Sequence, residues 1–261
     1  MSQHYLPPGS VKDGRFLLSG DAAEHISRVL RARPGDTIRV FDGVGGRSLA
    51  ELEEVSRSSV AGRVTGPLPW SPPAFRTVVC HAVTARAALE ETLRRATEAG
   101  AAEFRPFVSE RSQPGRIRAA LPAVGAGSSA TGRIDEEWEK RRGRYVGIIL
   151  SAAEQCERGD LPLLRPPAGF RELLDMPGRK LIGAPSPSAK PLTELAAGLA
   201  AGAEVMVFIG PEGGFSPAEL ELAERKGAEF FTLGPTVLRA ENAAAAAAAV
   251  LACAGESLKK E

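Results

Sequence analysis

The sequence predicts an α/β protein in two parts: a small strand-rich domain over residues 1–72 and a larger domain over residues 73–261 with a mainly parallel sheet. Three observations predict it. From Arg76 onward, apolar strand-like runs alternate with helical ones. The stretch "TGPLPWSPPAF", with five prolines or glycines in eleven residues, separates this pattern from what precedes it. Two glycine-proline breaks, "GPEGG" at Gly210 and "GP" at Gly234, each follow an apolar strand, about twenty residues apart.

The elements follow in order. "DAAEHISRVLRARPGD" reads as a short helix that Asp21 can cap. Ile26, Val29 and Leu30 fall on one face, Arg28 and Arg31 lie off it, and Pro34-Gly35 ends it. "DTIRVFDGVGGRSLAELEEV" alternates and turns on "DGVGG", a hairpin signal. Beyond the linker, "RTVVCHAV" is a strand and "RAALEETLRRATEAG" a helix, with Glu90-Arg94 and Glu91-Arg95 as i,i+4 pairs and Gly100 as its stop. "EFRPFV" is the next strand. Residues 122–132, which include Gly125 and Gly132, read as a flexible loop. A long helix follows, with Trp138, Tyr145, Ile148, Ile149, Ala152 and Cys156 at helical spacing. "KLIGAP", "EVMVFIG" and "EFFTL" are strands. Ser216-Pro217-Ala218-Glu219 is a capping box with proline at the first helical position, and Asn242 can cap the alanine-rich helix.

Composition bounds the function. The 261 residues, 43% apolar and 25% charged, are those of a globular protein, and a net charge of +1 gives no global field toward nucleic acid. Any RNA site must be a local patch. The 26 Arg against 7 Lys suit phosphate and base-edge contacts, though biased composition alone accounts for them equally well. Cys80, Cys156 and Cys253 are far apart and, with three scattered His, give neither a disulfide framework nor a metal signature. The N-terminus lacks an apolar signal core, and the longest apolar run, from Ala243 to Ala254, is too short for a bilayer. A cytoplasmic protein without a membrane partner is expected.

In parallel α/β sheets, ligands sit outside the carboxyl ends of the strands, where both breaks fall. Glycines there let the backbone turn sharply and let a ligand approach the amides. Glu212, Arg239 and Glu241 put charge into tight loops, where function is commoner than on helix faces. Neither GxGxxG nor GxxxxGK[ST] is present. Two tight turns in an ordinary sheet are the bland alternative.

Four blocks in order carry a family resemblance: "HISRVLRARPGD", "RRATEAGAAEFRPFVSERS", "RYVGIILSAAEQCERGDLP", and "IGPEGGFSPAEL" with "LGPTVLRAENAAA". Over nearly the whole chain they resemble the RsmE-type family of the SPOUT superfamily, methyltransferases that act on N3 of a uridine in 16S ribosomal RNA. The chain departs from the family pattern at Arg95, where Lys is usual, at Ala99 (Leu), at Tyr145 (Trp), and at Ala240 and Asn242 (both Thr). The resemblance implies a PUA-like RNA-binding β-barrel, a C-terminal trefoil knot, S-adenosylmethionine as cofactor, no metal, and a homodimer. The implied dimer meets in the knot region and along the last helix, with Ala245 to Ala249 at or beside the interface.

On that resemblance the cofactor pocket would be walled by Ala184 and Pro185, by Ile209, Gly210, Pro211, Glu212, Gly213 and Gly214, and by Leu233, Gly234, Val237 and Leu238. Arg158 and Arg239 are expected near the base or its phosphate, with phosphate clamps or structural ion pairs as the alternative. Glu212 is expected to act as base or to orient the cofactor amine, unless it caps the turn. Glu98 and Glu154 lie on helices, where solvated or paired roles are the default. Arg28, Arg31, Arg33 and Arg111, with Arg116 and Arg118, are the candidates for RNA phosphate. Three other readings stay open: a SPOUT enzyme for another nucleotide, a non-catalytic RNA-binding protein, and a nucleotide-binding enzyme that uses "GPEGG" for phosphate.

Overall fold

The computed structural model describes residues 2–112 and 131–258, without the side chains of 131–137. The expected loop at 122–132 therefore lies outside the described residues, except that Thr131 and Gly132 open a helix; Arg116 and Arg118 lie outside as well. The chain divides into two compact units, Met1–Pro72 with Leu150–Leu161, and Pro73–Ile149 with Pro162–Glu261.

The first unit holds strands β1 (Gln3–Tyr5), β2 (Arg15–Ser19), β3 (Thr37–Phe41), β4 (Arg47–Val55) and β5 (Ser59–Leu68). They form one sheet in the order β1-β3-β4-β5-β2, antiparallel except for β1 beside β3. Phe16, Leu18, Ile38, Val40, Leu52 and Val60 fill its core. The β3–β4 turn forms as the sequence predicts: Asp42 Oδ1 accepts from the amides of Val44 and Gly46, both at 2.8 Å. The expected helix is shorter and differently built. Its regular part, α1, is Asp21–Glu24, with Gly20 rather than Asp21 at the N-cap, and it continues as a π-helical turn, His25–Val29. A π turn rotates later side chains out of the α register. Ile26 is fully buried, but Val29 and Leu30 are 66% and 40% exposed. A lone residue count at α spacing could not anticipate that.

The second unit holds β6 (Arg76–Ala82), α2 (Arg86–Glu98), β7 (Glu103–Val108), most of α3 (Thr131–Gln155), β8 (Leu163–Leu164), β9 (Ala168–Gly169), α4 (Phe170–Asp175), β10 (Arg179–Gly183), β11 (Lys190–Pro191), α5 (Leu192–Ala197), β12 (Glu204–Ile209), α6 (Pro217–Arg225), β13 (Glu229–Thr232) and α7 (Ala240–Leu258). The sheet runs β11-β13-β10-β12-β6-β7-β8, with β9 also on β7, and every pair is parallel. The sheet is apolar through its middle, as strands covered on both faces must be. Phe107, Phe170, Phe208 and Phe215 cluster beneath its carboxyl edge, ring centroids 5.4–6.1 Å apart.

Two helix expectations change partner. Glu91 pairs with Arg95 at 3.1 Å, but Glu90 turns to Arg144 of α3 at 2.6 Å rather than to Arg94. Asn242 lies inside the first turn of α7 instead of capping it, and accepts a hydrogen bond from Arg95 of α2. Two of the family departures are therefore bonded to each other. α7 packs on α2, α5, β6 and β12, with Ala244, Ala247, Ala248 and Leu251 buried in its own chain. Of the alanines expected at an interface, Ala247 and Ala248 are thus inside, while Ala245, Ala246 and Ala249 are half-buried. No helix among the described residues is long and apolar enough to cross a membrane.

Candidate functional site

The sheet order decides where the loops meet. β10 lies between β12 and β13, with Gly183 facing Ile209 on one side and Phe231 on the other. Parallel strands in that register end together. Ala184 and Pro185, residues 210–214 and residues 233–238 therefore leave the same edge of three adjacent strands. This brings the sequence-predicted pocket residues into one region of the second unit.

The glycines are there for stated reasons. A Cβ on Gly183 would lie 3.0 Å from the Phe231 ring, and one on Gly210 would lie 2.9 Å from the Phe215 ring. Gly214 and Gly234 have φ of 69° and 115°, which side chains rarely adopt. Gly213 differs: its Cβ would meet only Arg111, at an ordinary 3.6 Å. The Gly214 amide closes a turn onto the Pro211 carbonyl at 2.8 Å. Then α6 begins with the full capping box, Ser216 Oγ accepting from Glu219 N at 3.2 Å and Glu219 from Ser216 N at 2.9 Å.

Around this edge, Ile209, Ala184 and Pro211 are buried, and Pro185 and Glu212 are exposed. Leu233 is half-buried, while residues 234–239 are exposed, Val237 to 96% and Leu238 to 36%. Exposed apolar side chains on a glycine-rich lip suit an apolar ligand face better than water. Arg239 is exposed, and no ion pair holds its guanidinium among the described residues. Glu98 is exposed on α2.

Two groups at the end of β6 escaped the sequence reading. His81, the ladder partner of Ile209, is 1% exposed, with Nδ1 2.7 Å from the Ala82 carbonyl and Nε2 3.1 Å from Thr92 Oγ1. Burial pulls its pKa down to about 4, against the carbonyls of Ala82 and Ala240 and the charges of Glu212 and Glu241, which favour the imidazolium. Thr84 Oγ1 is buried with no hydrogen-bond partner among the described residues. The signal was the polar "H" and "T" at the end of an otherwise apolar strand.

Other expected residues fall in the first unit. Arg158 is 2% exposed, and its guanidinium makes a two-pronged contact with Asp160 at 3.0 and 3.1 Å. Gln3 Nε2 donates to its carbonyl at 2.7 Å. This burial and pairing are what the structural ion-pair alternative expects of Arg158. Glu154 accepts the Tyr5 amide at 3.0 Å, and burial raises its pKa. Arg28, Arg31 and Arg33 are exposed; Arg28 pairs with Glu24 at 2.6 Å, which discounts its charge. Arg111, in the second unit, donates instead to the Gly213 carbonyl at 3.1 Å. Among the described residues, no group of His, Cys, Asp and Glu could hold a metal ion.

The chain matches an RNA methyltransferase domain over residues 125–252 and an RNA methyltransferase PUA domain over residues 18–65. It is 30% identical over 239 residues to ribosomal RNA small subunit methyltransferase E of Mycobacterium bovis, covering 88% of this chain and 83% of that protein. The Bacillus subtilis protein of the same name is 26% identical over 239 residues, 87% and 86% of the two chains. Among solved structures, a Legionella pneumophila protein with SAM bound superposes with a TM-score of 0.80 at 28% identity, over 97% of both chains. The ribosomal RNA small subunit methyltransferase E of Neisseria gonorrhoeae, bound to S-adenosyl methionine, does so at 0.77 and 26%, over 96% of both. With a glycine-walled strand edge in one unit and a PUA domain in the other, this chain belongs to the ribosomal RNA small subunit methyltransferase E family.

Proposed function

We propose that the chain methylates N3 of a uridine in 16S ribosomal RNA, with S-adenosylmethionine as the donor. One observation carries the reading: the register of β12, β10 and β13 sets three loops side by side, two of them glycine breaks. The residues present fit that cofactor. Gly213 is exposed, Val237 and Leu238 offer apolar surface to an adenine, and backbone turns leave amides near the strand ends. Ala184, Ile209, residues 210–214 and residues 233–238 would hold it. When bound, S-adenosylmethionine supplies a methyl group already activated on a sulfonium.

The chain's own residues do the rest. Fixed loops hold the reacting groups in line, a contribution of about 7–11 kcal/mol in well-oriented model reactions. Glu212, exposed beside the break, accepts the weakly acidic N3 proton or orients the cofactor amine. Arg239 is free to stabilise the negative charge that spreads onto the uracil oxygens. Arg28, Arg31 and Arg33 of the PUA domain bind RNA phosphate. The trefoil knot that the resemblance implies belongs to the same reading, with β13 returning beside β10 across from β12. Assembly as a homodimer in the cytoplasm, through the half-buried Ala245, Ala246 and Ala249, completes the reading.

Nucleoside mass spectrometry of 16S rRNA from a strain lacking the gene tests it. One 3-methyluridine should disappear and return with the wild-type gene. An unchanged modification profile contradicts the proposal.

A further inference from the structure

The glycine loop is held from outside by the turn that follows β7. Glu219, 9% exposed, does more than complete its capping box. Its Oε2 accepts from Ser216 N at 2.9 Å and also from Ser109 Oγ at 3.0 Å, and its Oε1 accepts from Glu110 N at 2.9 Å. A capping box needs only the first of these. The other two tie the start of α6 to a turn 109 and 110 residues earlier in the chain. That turn is itself closed, Ser112 N donating to the Ser109 carbonyl at 3.0 Å.

The next residue supplies the second attachment. Arg111 Nη1 donates to the Gly213 carbonyl at 3.1 Å, and its stem lies along the face of Gly213. Beneath both, Phe107 of β7 stacks on Phe215 at 6.1 Å with the rings 3° apart. A loop with three glycines in five residues, 210, 213 and 214, has much conformational freedom to lose on binding a ligand. Here that freedom is already removed by groups outside the loop, and preorganisation of this kind raises affinity.

We propose that Ser109, Glu110, Arg111 and Glu219 form a two-point clasp that positions the Gly210–Gly214 loop and sets the affinity for S-adenosylmethionine. Arg111 and Glu219 are positioning residues, and Arg111 serves the cofactor loop rather than RNA phosphate. The inference rests on the placement of the cofactor at the glycine breaks.

The test titrates S-adenosylmethionine by calorimetry into the full-length wild type, Arg111→Ala, Arg111→Lys, Glu219→Gln and the Arg111→Ala/Glu219→Gln pair. Each single loss of a charged contact should weaken cofactor binding by about tenfold. The pair should be weaker by less than the product, because both contacts order one loop. Arg111→Lys, which keeps a donor for Gly213, should recover part of the loss. In turnover assays the cofactor KM should rise while kcat and the RNA KM stay within about twofold, which a loss of folded protein alone would not produce. The salt dependence of RNA binding should be the same in Arg111→Ala as in the wild type. A reduced salt slope with unchanged cofactor affinity makes Arg111 a phosphate contact and overturns the clasp. A lowered Tm with unchanged cofactor affinity in Glu219→Gln reduces Glu219 to a helix cap and also overturns it. A wild type that binds no S-adenosylmethionine overturns the site placement together with the clasp, whereas a wild type that binds no better than its variants overturns the clasp alone.

Discussion

His4 and His81 are both buried, and burial first of all lowers both pKa values from the ordinary 6.5 to about 4; His25 adds to the effect at His4. Between those values the unfolded chain binds protons that the folded chain does not. Stability is therefore full above pH 6.5 and falls as the pH drops toward 4, by up to about 3 kcal/mol for each histidine. Glu154, whose carboxyl burial raises, works in the opposite sense across its own titration. The urea midpoint should decrease between pH 7 and pH 4.5, and the decrease should be smaller in a His4→Gln/His81→Gln variant. An equal decrease in both proteins would show that other groups set the acid limit.

At the scale of elements, the amino ends of the central strands are joined by charge. Glu103 of β7, 1% exposed, takes Arg76 of β6, Arg105 at 2.6 Å and Arg165 at 3.1 Å, and Arg76 reaches on to Glu204 of β12 at 3.0 Å. Glu103→Gln would leave three guanidiniums crowded around a neutral group. It should destabilise the second unit by about 2–4 kcal/mol, less than for a fully buried pair because the arginines are partly exposed. A midpoint within error of the wild type would mean that water screens the cluster. Apart from the Glu103–Arg105 pair on one strand, this network could not be read from the sequence, because its other bonds join residues 27, 62 and 128 apart. The capping box at Ser216 could be read, because both its bonds lie within four residues. The same contrast explains Glu90, which at i,i+4 spacing should have found Arg94 but finds a better partner across a helix–helix contact.

For the whole molecule, the alternation of strands and helices disclosed the parallel sheet and the strand ends that carry the glycine loops. It could not disclose that Leu150–Leu161 belongs with the N-terminal unit, which is a matter of tertiary packing. Arg158 follows a helix of the larger domain in sequence but is buried with Asp160 in the smaller unit, a placement that the alternation pattern does not carry. His81 was missed because an apolar strand hides one polar residue well. In the proposed reading the RNA surface is the arginine cluster of the small unit, Arg28, Arg31 and Arg33, all exposed. Changing Arg28, Arg31 and Arg33 together to Gln should lower the slope of log K against log salt by about 1–2, below the full value for three charges because Arg28 is paired to Glu24. Cofactor affinity should not change; an unchanged salt slope would place the RNA elsewhere.

In the proposed function, the three loops at the ends of β10, β12 and β13 hold a methyl donor against a uridine of 16S rRNA. Gly213 probes this placement, since the backbone does not forbid a side chain there and its Cβ would lie 3.6 Å from Arg111, whose own replacement by Ala should cost only about tenfold in cofactor affinity. The decisive measurement is methyl transfer from labelled S-adenosylmethionine to small ribosomal subunits that lack the modification, followed by digestion to nucleosides. The wild type should place the label in 3-methyluridine. Gly213→Val, folded to the same Tm, should lose both the label and measurable cofactor binding. Label in any other nucleoside, or full transfer by Gly213→Val, would contradict the account.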